Sequence, residues 1–126
     1  MSITQGRSKR KSSGGRYKDT RAKRVHALAN SSSKTEIGDE QIKARRTRGG
    51  SKKAFYLQVD TVNLYKPSDE AHVEAELLNV VESPSNQNYV RRNIVTKGCV
   101  VETNEGKARI TSRPGQGTAL NAVLLE

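Results

Sequence analysis

The sequence has no tryptophan, one phenylalanine, one cysteine, one methionine and three prolines. Aromatic residues make up only 4% of it and hydrophobic residues 33%, against about 45–50% in globular chains, a range that also counts glycine. A large aromatic core is therefore excluded. With Cys99 as the sole cysteine no intramolecular disulfide can form, which suits a reducing cytosol. The first thirty residues hold no apolar run of the kind found in signal peptides. No stretch approaches the roughly 20 apolar residues of a membrane-spanning helix. The chain reads as soluble and intracellular, and its 126 residues suffice for one domain but hardly two.

The scarcest feature is negative charge in the first half. Residues 1–53 hold sixteen Lys/Arg against four Asp/Glu, a balance of +12, whereas 54–126 hold seven against nine, a balance of −2. Apolar content breaks at the same place, with 11 of the first 53 residues and 30 of the remaining 73. This composition predicts two parts: a basic, core-poor and largely irregular extension over 1–53 and a nearly neutral body over 54–126. The overall charge of +10 and pI near 10.1 point to a polyanionic partner, nucleic acid before an acidic membrane surface.

Residues 1–18 have no hydrophobic period and bury too little to offset their ordering entropy. In DTRAKRVHALAN (19–30), Asp19 or Thr20 can cap a helix start, and Ala22, Val25, Leu28 and Ala29 recur at helical spacing. A short helix is expected there, and a loop over 31–40. From Ala54 the texture becomes β. FYLQVDTVNLY (55–65), HVEAELLNVVE (72–82), IVTKGCVVET (94–103), KARITSR (107–113) and ALNAVLLE (119–126) read as strands. KPSDE, SPSNQN, NEG and PGQG separate them, and Gly98 marks a bulge or sharp bend. Five or six strands with short connections and no helical crossover predict an all-β fold, a small antiparallel barrel or sandwich. A closed barrel is favoured because it leaves no long edge exposed.

Two basic stretches share one design: RKSSGGRYK (10–18) and RRTRGGSKK (45–53). Each surrounds a glycine pair with cations. A merely solvated tail would also be basic, yet sixteen cations in 53 residues repel one another unless phosphates neutralise them. Glycine lets backbone approach phosphate closely and tolerates positive φ, and Arg grips phosphate at two points and stacks on bases. Tyr17 offers a ring for an unpaired base. The cations of the extension assigned to this role are Arg7, Lys9, Arg10, Lys11, Arg16, Lys18, Arg21, Lys23, Arg24, Arg45, Arg46, Arg48, Lys52 and Lys53, together with Gly14, Gly15, Gly49 and Gly50. No zinc-finger spacing, leucine zipper or helix-turn-helix pair is present, so RNA is favoured over DNA. Arg91 and Arg92, in a loop of the acidic body, read either as a solubilising pair or as a second RNA contact.

Signals for chemistry are poor. His26 and His72 lie far apart in sequence, Cys99 sits among apolar residues as a small core side chain, and no nucleophile elbow or phosphate-binding loop occurs. No metal, cofactor, small-molecule substrate or catalytic residue is expected.

Four segments carry a family likeness: SKRKSSGGRYKD (8–19), KARRTRGGSKK (43–53), NYVRRNIVTKG (88–98) and GKARITSRPGQGTALNAVLLE (106–126). With the strands between them, the chain resembles nearly end to end the archaeal and eukaryotic small-subunit ribosomal protein number eight, the "e" type, and in length an archaeal member. The resemblance implies a six-stranded antiparallel barrel with a basic N-terminal extension, a structural role, contact with small-subunit ribosomal RNA and neighbouring ribosomal proteins, and a cytoplasmic place on the ribosome. It carries RNA contact onto Arg10, Lys11, Gly14, Gly15, Arg16, Arg46, Arg48, Gly49, Gly50, Lys52, Lys53, Arg91, Arg92 and Arg113. Ser13 stands where the family usually has Thr, and Gln116-Gly117-Thr118 where Gln-Asp-Gly is usual. A ribosome-assembly factor is the related alternative. A small RNA-modifying enzyme is the alternative from another class, and it would need a clustered acid, base or nucleophile.

Overall fold

A computed structural model describes residues 3–4 and 6–125. The chain divides into two compact units, Met1–Ser32 and Ser33–Glu126.

In the first unit, strand β1 (Ile3–Thr4) pairs antiparallel with β2 (Leu28–Ala29). Between them runs mostly irregular chain. The helix expected near 20–29 is not formed: a single 3-10 turn at Val25–Ala27 leads directly into β2. The physical reason is the thinness of the apolar stripe. Val25 is 86% exposed and Leu28 40%, so a helix here would have nothing to bury against. Every described side chain from Gly6 to Ser32 is exposed except the half-buried Ala29.

The second unit holds the core. Strands β3 (Glu36–Ile37), β4 (Gln41–Arg46) and β5 (Lys52–Val59) form a three-stranded sheet in the order β3-β5-β4. Strands β6 (Thr61–Lys66), β7 (Ala71–Glu82), β8 (Val100–Thr103), β9 (Gly106–Ile110) and β10 (Asn121–Leu124) close a barrel in the order β10-β6-β7-β8-β9. One helical turn, α1 (Asn88–Arg91), lies between β7 and β8.

The fold is thus mostly β with a barrel, and several details of the expectation are corrected. The basic extension is not irregular up to residue 53, because β4 and the start of β5 pair across its second cluster. Five strands close the barrel, not six. The segment 55–65 is not one strand: it breaks at Asp60, so that β5 joins the small sheet and β6 enters the barrel. And the barrel is not wholly antiparallel, because β10 runs parallel to β6 while pairing antiparallel with β9. The expected strand 94–103 is shorter than its composition suggests, since its first half turns sharply before β8.

Alternation sets the core. Val62 and Leu64 from β6, Ala75 and Leu77 from β7, Val101 from β8, Ala108 and Ile110 from β9 and Ala122 from β10 all point inward, each at 6% exposure or less. A register shift after Leu77 lets β7 resume inward packing at Val80, leaving Leu78 and Asn79 outside. This is how a bulge re-aims a strand. Cys99 is fully buried within the core cluster, and burial pushes its thiol above the usual range. It is a packed, neutral side chain rather than a reactive one.

The small sheet is fastened to the barrel through Tyr56. Its N–H donates to the Pro114 carbonyl at 3.0 Å, its hydroxyl to the Thr118 carbonyl at 2.8 Å, and its own carbonyl accepts from Thr35 Oγ1 at 2.8 Å. Burial, then the nearby Glu40 carboxylate, raises the Tyr56 hydroxyl pKa, so it stays a proton donor.

Candidate nucleic-acid interface

The two basic Gly-Gly stretches are both hairpin tips, built to one plan. In the first, the Lys11 N–H donates to the Gly15 carbonyl at 2.8 Å and the Gly14 N–H to the Lys11 carbonyl at 3.0 Å. In the second, the Thr47 N–H donates to the Ser51 carbonyl at 2.7 Å and the Gly50 N–H to the Thr47 carbonyl at 3.3 Å. The fourth residue of each five-residue loop is a glycine at positive φ: 84° at Gly14 and 86° at Gly50. That left-handed position favours glycine on steric grounds. Gly49 is also left-handed, at φ 83°. A Cβ at Gly14 or Gly49 would meet nothing within 4 Å, so the faces of the tips are open.

Cations face one another directly behind each tip. Arg10 bridges Arg16. Arg46 faces Lys52, and Arg45 faces Lys53, across the β4–β5 ladder. Like charges directly opposite one another oppose strand pairing, by an amount of the same order as the roughly 0.2–1 kcal/mol of a favourable pair. Each hairpin on its own therefore carries uncompensated like charge that an anion would relieve.

Around the first tip, the Arg7 guanidinium lies 3.9 Å from the centre of the Tyr17 ring and the Lys11 ammonium 5.3 Å, a cation–π cluster. Lys9 pairs with Asp19 at 3.5 Å. Both side chains are about two-thirds exposed, so the pair adds little stability. Lys18, Arg21, Lys23 and Arg24 are spaced along exposed irregular chain.

Around the second tip, Arg48 sits within the loop itself, and the Thr47 hydroxyl donates to the Ser51 carbonyl at 2.9 Å, locking it. Alternation places Lys43, Arg45, Lys53 and Phe55 on one face of β4–β5, and the Arg45 guanidinium lies 5.7 Å from the Phe55 ring centre. Lys43 is not among the residues that the sequence singles out. Its signal is present, two positions before Arg45 in a strand of period two.

The candidates on the body are scattered. Arg91 ends α1, and Arg92, which caps it, donates to Glu36 Oε1 at 3.3 Å. Part of the Arg92 charge is therefore compensated within the chain. Arg113 is exposed in the loop between β9 and β10. Among the described residues no group of three or more His, Cys, Asp or Glu side chains is placed to hold a metal ion. No helix among them is long and apolar enough to cross a membrane.

This geometry coincides with a family match. The sequence pattern of the family described as ribosomal protein S8e fits residues 4–125. The chain belongs to the ribosomal protein S8e family. That is a family of ribosomal proteins, not of enzymes. Among its relatives, the small ribosomal subunit protein eS8 of Haloarcula marismortui is 44% identical over 122 residues, covering 97% of this chain and 98% of its own. The protein of the same name from Methanobrevibacter smithii is 42% identical over 125 residues, covering 99% and 100%. That from Picrophilus torridus is 41% identical over 125 residues, again covering 99% and 100%. The likeness spans both hairpins and the barrel of this S8e chain.

The glycines of the S8e hairpins give a first prediction. Replacing Gly14-Gly15 or Gly49-Gly50 with valine pairs puts a side chain on the left-handed positions 14, 49 and 50, at about 1–2 kcal/mol per such residue, and fills the open face of the tip. RNA affinity is expected to fall about tenfold, the equivalent of about 1.4 kcal/mol. The exposed tip, which holds no buried side chain, can rearrange to relieve most of that strain, so the melting temperature should fall by only a few degrees. Binding and calorimetry on the same samples check this. Equal losses in both would mean that the glycines serve the fold alone.

Proposed function

We propose that this chain is a structural constituent of the small ribosomal subunit, binding small-subunit ribosomal RNA through the basic region 1–53, with 54–126 as the body that anchors it. The observation that carries this reading is the register of the hairpins, which sets Arg10 against Arg16, Arg46 against Lys52 and Arg45 against Lys53. Phosphates neutralise such pairs, and Arg and Lys supply most contacts of this type. The open glycine tips let RNA backbone approach protein backbone. Tyr17, already flanked by Arg7 and Lys11, offers a ring to an unpaired base.

The relatives are named as small ribosomal subunit proteins, which supports the same assignment here, with ribosomal RNA and neighbouring ribosomal proteins as partners in the cytoplasm. No cofactor, metal or small substrate enters this reading. Sedimentation of cell extracts tests it. A structural constituent stays with mature small subunits and with translating ribosomes at one copy each. Presence only on immature particles would instead make the chain an assembly factor.

A further inference from the structure

Lys97 and Arg113 are two cations on a body that is otherwise slightly acidic, and neither forms an ion pair among the described residues. Two other body cations are compensated: Lys66 pairs with Glu105 at 2.6 Å and Arg92 with Glu36 at 3.3 Å. Lys97 and Arg113 come from different loops, yet the fold brings both to the lining of one open concavity of about 450 Å³. Ser112, Gln116 and Thr118 also line it.

Both walls are held by backbone. Lys97 sits in a tight turn in which the Cys99 N–H donates to the Thr96 carbonyl at 3.2 Å. Gly98, at φ 87°, permits that turn. The turn is then stitched to the end of β9: the Gly98 N–H donates to the Ile110 carbonyl at 2.8 Å, and the Ile110 N–H to the Cys99 carbonyl at 3.0 Å. Opposite, the loop that carries Arg113 is clamped by Tyr56 at Pro114 and at Thr118. Tyr56 lies on β5, the strand that begins at Lys52 and Lys53. At a rise of about 3.3 Å per residue, the clamp is roughly 10–13 Å along the strand from those two lysines. The concavity is thus joined by one rigid strand to the second basic hairpin.

A guanidinium and an ammonium that line one concavity with hydroxyls and an amide suit a tetrahedral anion. We propose that Lys97 and Arg113 together form a phosphate site on the barrel, holding one backbone phosphate of the RNA that the second hairpin binds. This rests on the reading of the hairpins as RNA-binding and adds to it a residue, Lys97, and a shared ligand.

The test uses the full-length chain and a full-length transcript of small-subunit ribosomal RNA, titrated at four salt concentrations. Lys97→Gln and Arg113→Gln are each expected to weaken binding about fivefold with unchanged melting. Since both hold one phosphate, the double variant should lose far less than the product of the single losses. Its salt slope should shrink by about one unit, not two. Two results overturn the site: a double variant that binds like the wild type, or losses that multiply with a slope change of two, which is the behaviour of independent surface cations. The variant Arg46→Gln/Lys52→Gln separates this from the underlying reading. If it weakens binding while the barrel variants do not, only the barrel site fails. If it too binds like the wild type, the hairpin reading fails and this site with it.

Discussion

Removal of residues 1–32 is expected to weaken binding to small-subunit ribosomal RNA by roughly two orders of magnitude at physiological salt. The segment holds nine of the 23 Lys/Arg and one acidic residue. If about half of those cations reach phosphate, they contribute about three units to the slope of log K against log salt. A contribution of that steepness, read from molar salt down to physiological salt, is worth a factor of about three hundred. The remaining chain, Ser33–Glu126, is a compact unit that holds every buried residue of the described structure. Its melting temperature should therefore move by no more than a few degrees. Affinity retained after truncation would show that the first hairpin is a passenger. A large loss of melting temperature would show that it serves the fold.

The second large effect belongs to the core. Leu64→Ala removes a side chain with no exposed surface, from a strand paired with β7 on one side and β10 on the other. Truncations of this kind cost about 2–5 kcal/mol, because lost transfer energy and an unfilled cavity add together. Total stability is about 5–15 kcal/mol for a typical domain. For one of 60–100 residues each kcal/mol shifts melting by about 4–8 °C. A fall of more than about 10 °C is expected by thermal denaturation. Leu78→Ala, also on β7 but half exposed, is the comparison and should change stability by less than about 0.5 kcal/mol. Similar losses at both positions would contradict the inward and outward assignment.

Part of the fold is legible in the residues themselves. Alternation over 107–113 marks Ala108 and Ile110 as one face, and both are buried. Gly98 reads as a bend, and it turns the chain at positive φ. Other features are hidden. The strand 55–65 reads as continuous because its composition does not change at Asp60. The clue is parity: Val59 and Val62 are both buried, three residues apart, which no uninterrupted strand of period two allows. The parallel pairing of β10 with β6 leaves no trace, since alternation carries no direction. The helix expected near 20–29 rests on four apolar residues, of which only Ala29 is even half buried. The turn α1 is four residues long, too short to show a period.

The interface divides in the same way. Composition locates the basic stretches, and the repeated glycine pairs mark both tips. The facing of like charges cannot be read from sequence, because register depends on where each hairpin reverses. Lys97 is a lone cation in its segment and draws no notice there. Only the backbone bonds between the turn at 96–99 and Ile110 bring it to Arg113.

The salt dependence of binding by the full-length chain tests the central claim most directly. If the hairpins act by neutralising phosphates, each contact releases counterions and adds about 0.7–0.9 to the steepness. With about half of the sixteen cations of residues 1–53 engaged, the slope of log K against log salt should be on the order of −6. A slope no steeper than about −1 to −2 is what one or two contacts from the barrel would give. That result would contradict the assignment of RNA binding to the basic hairpins.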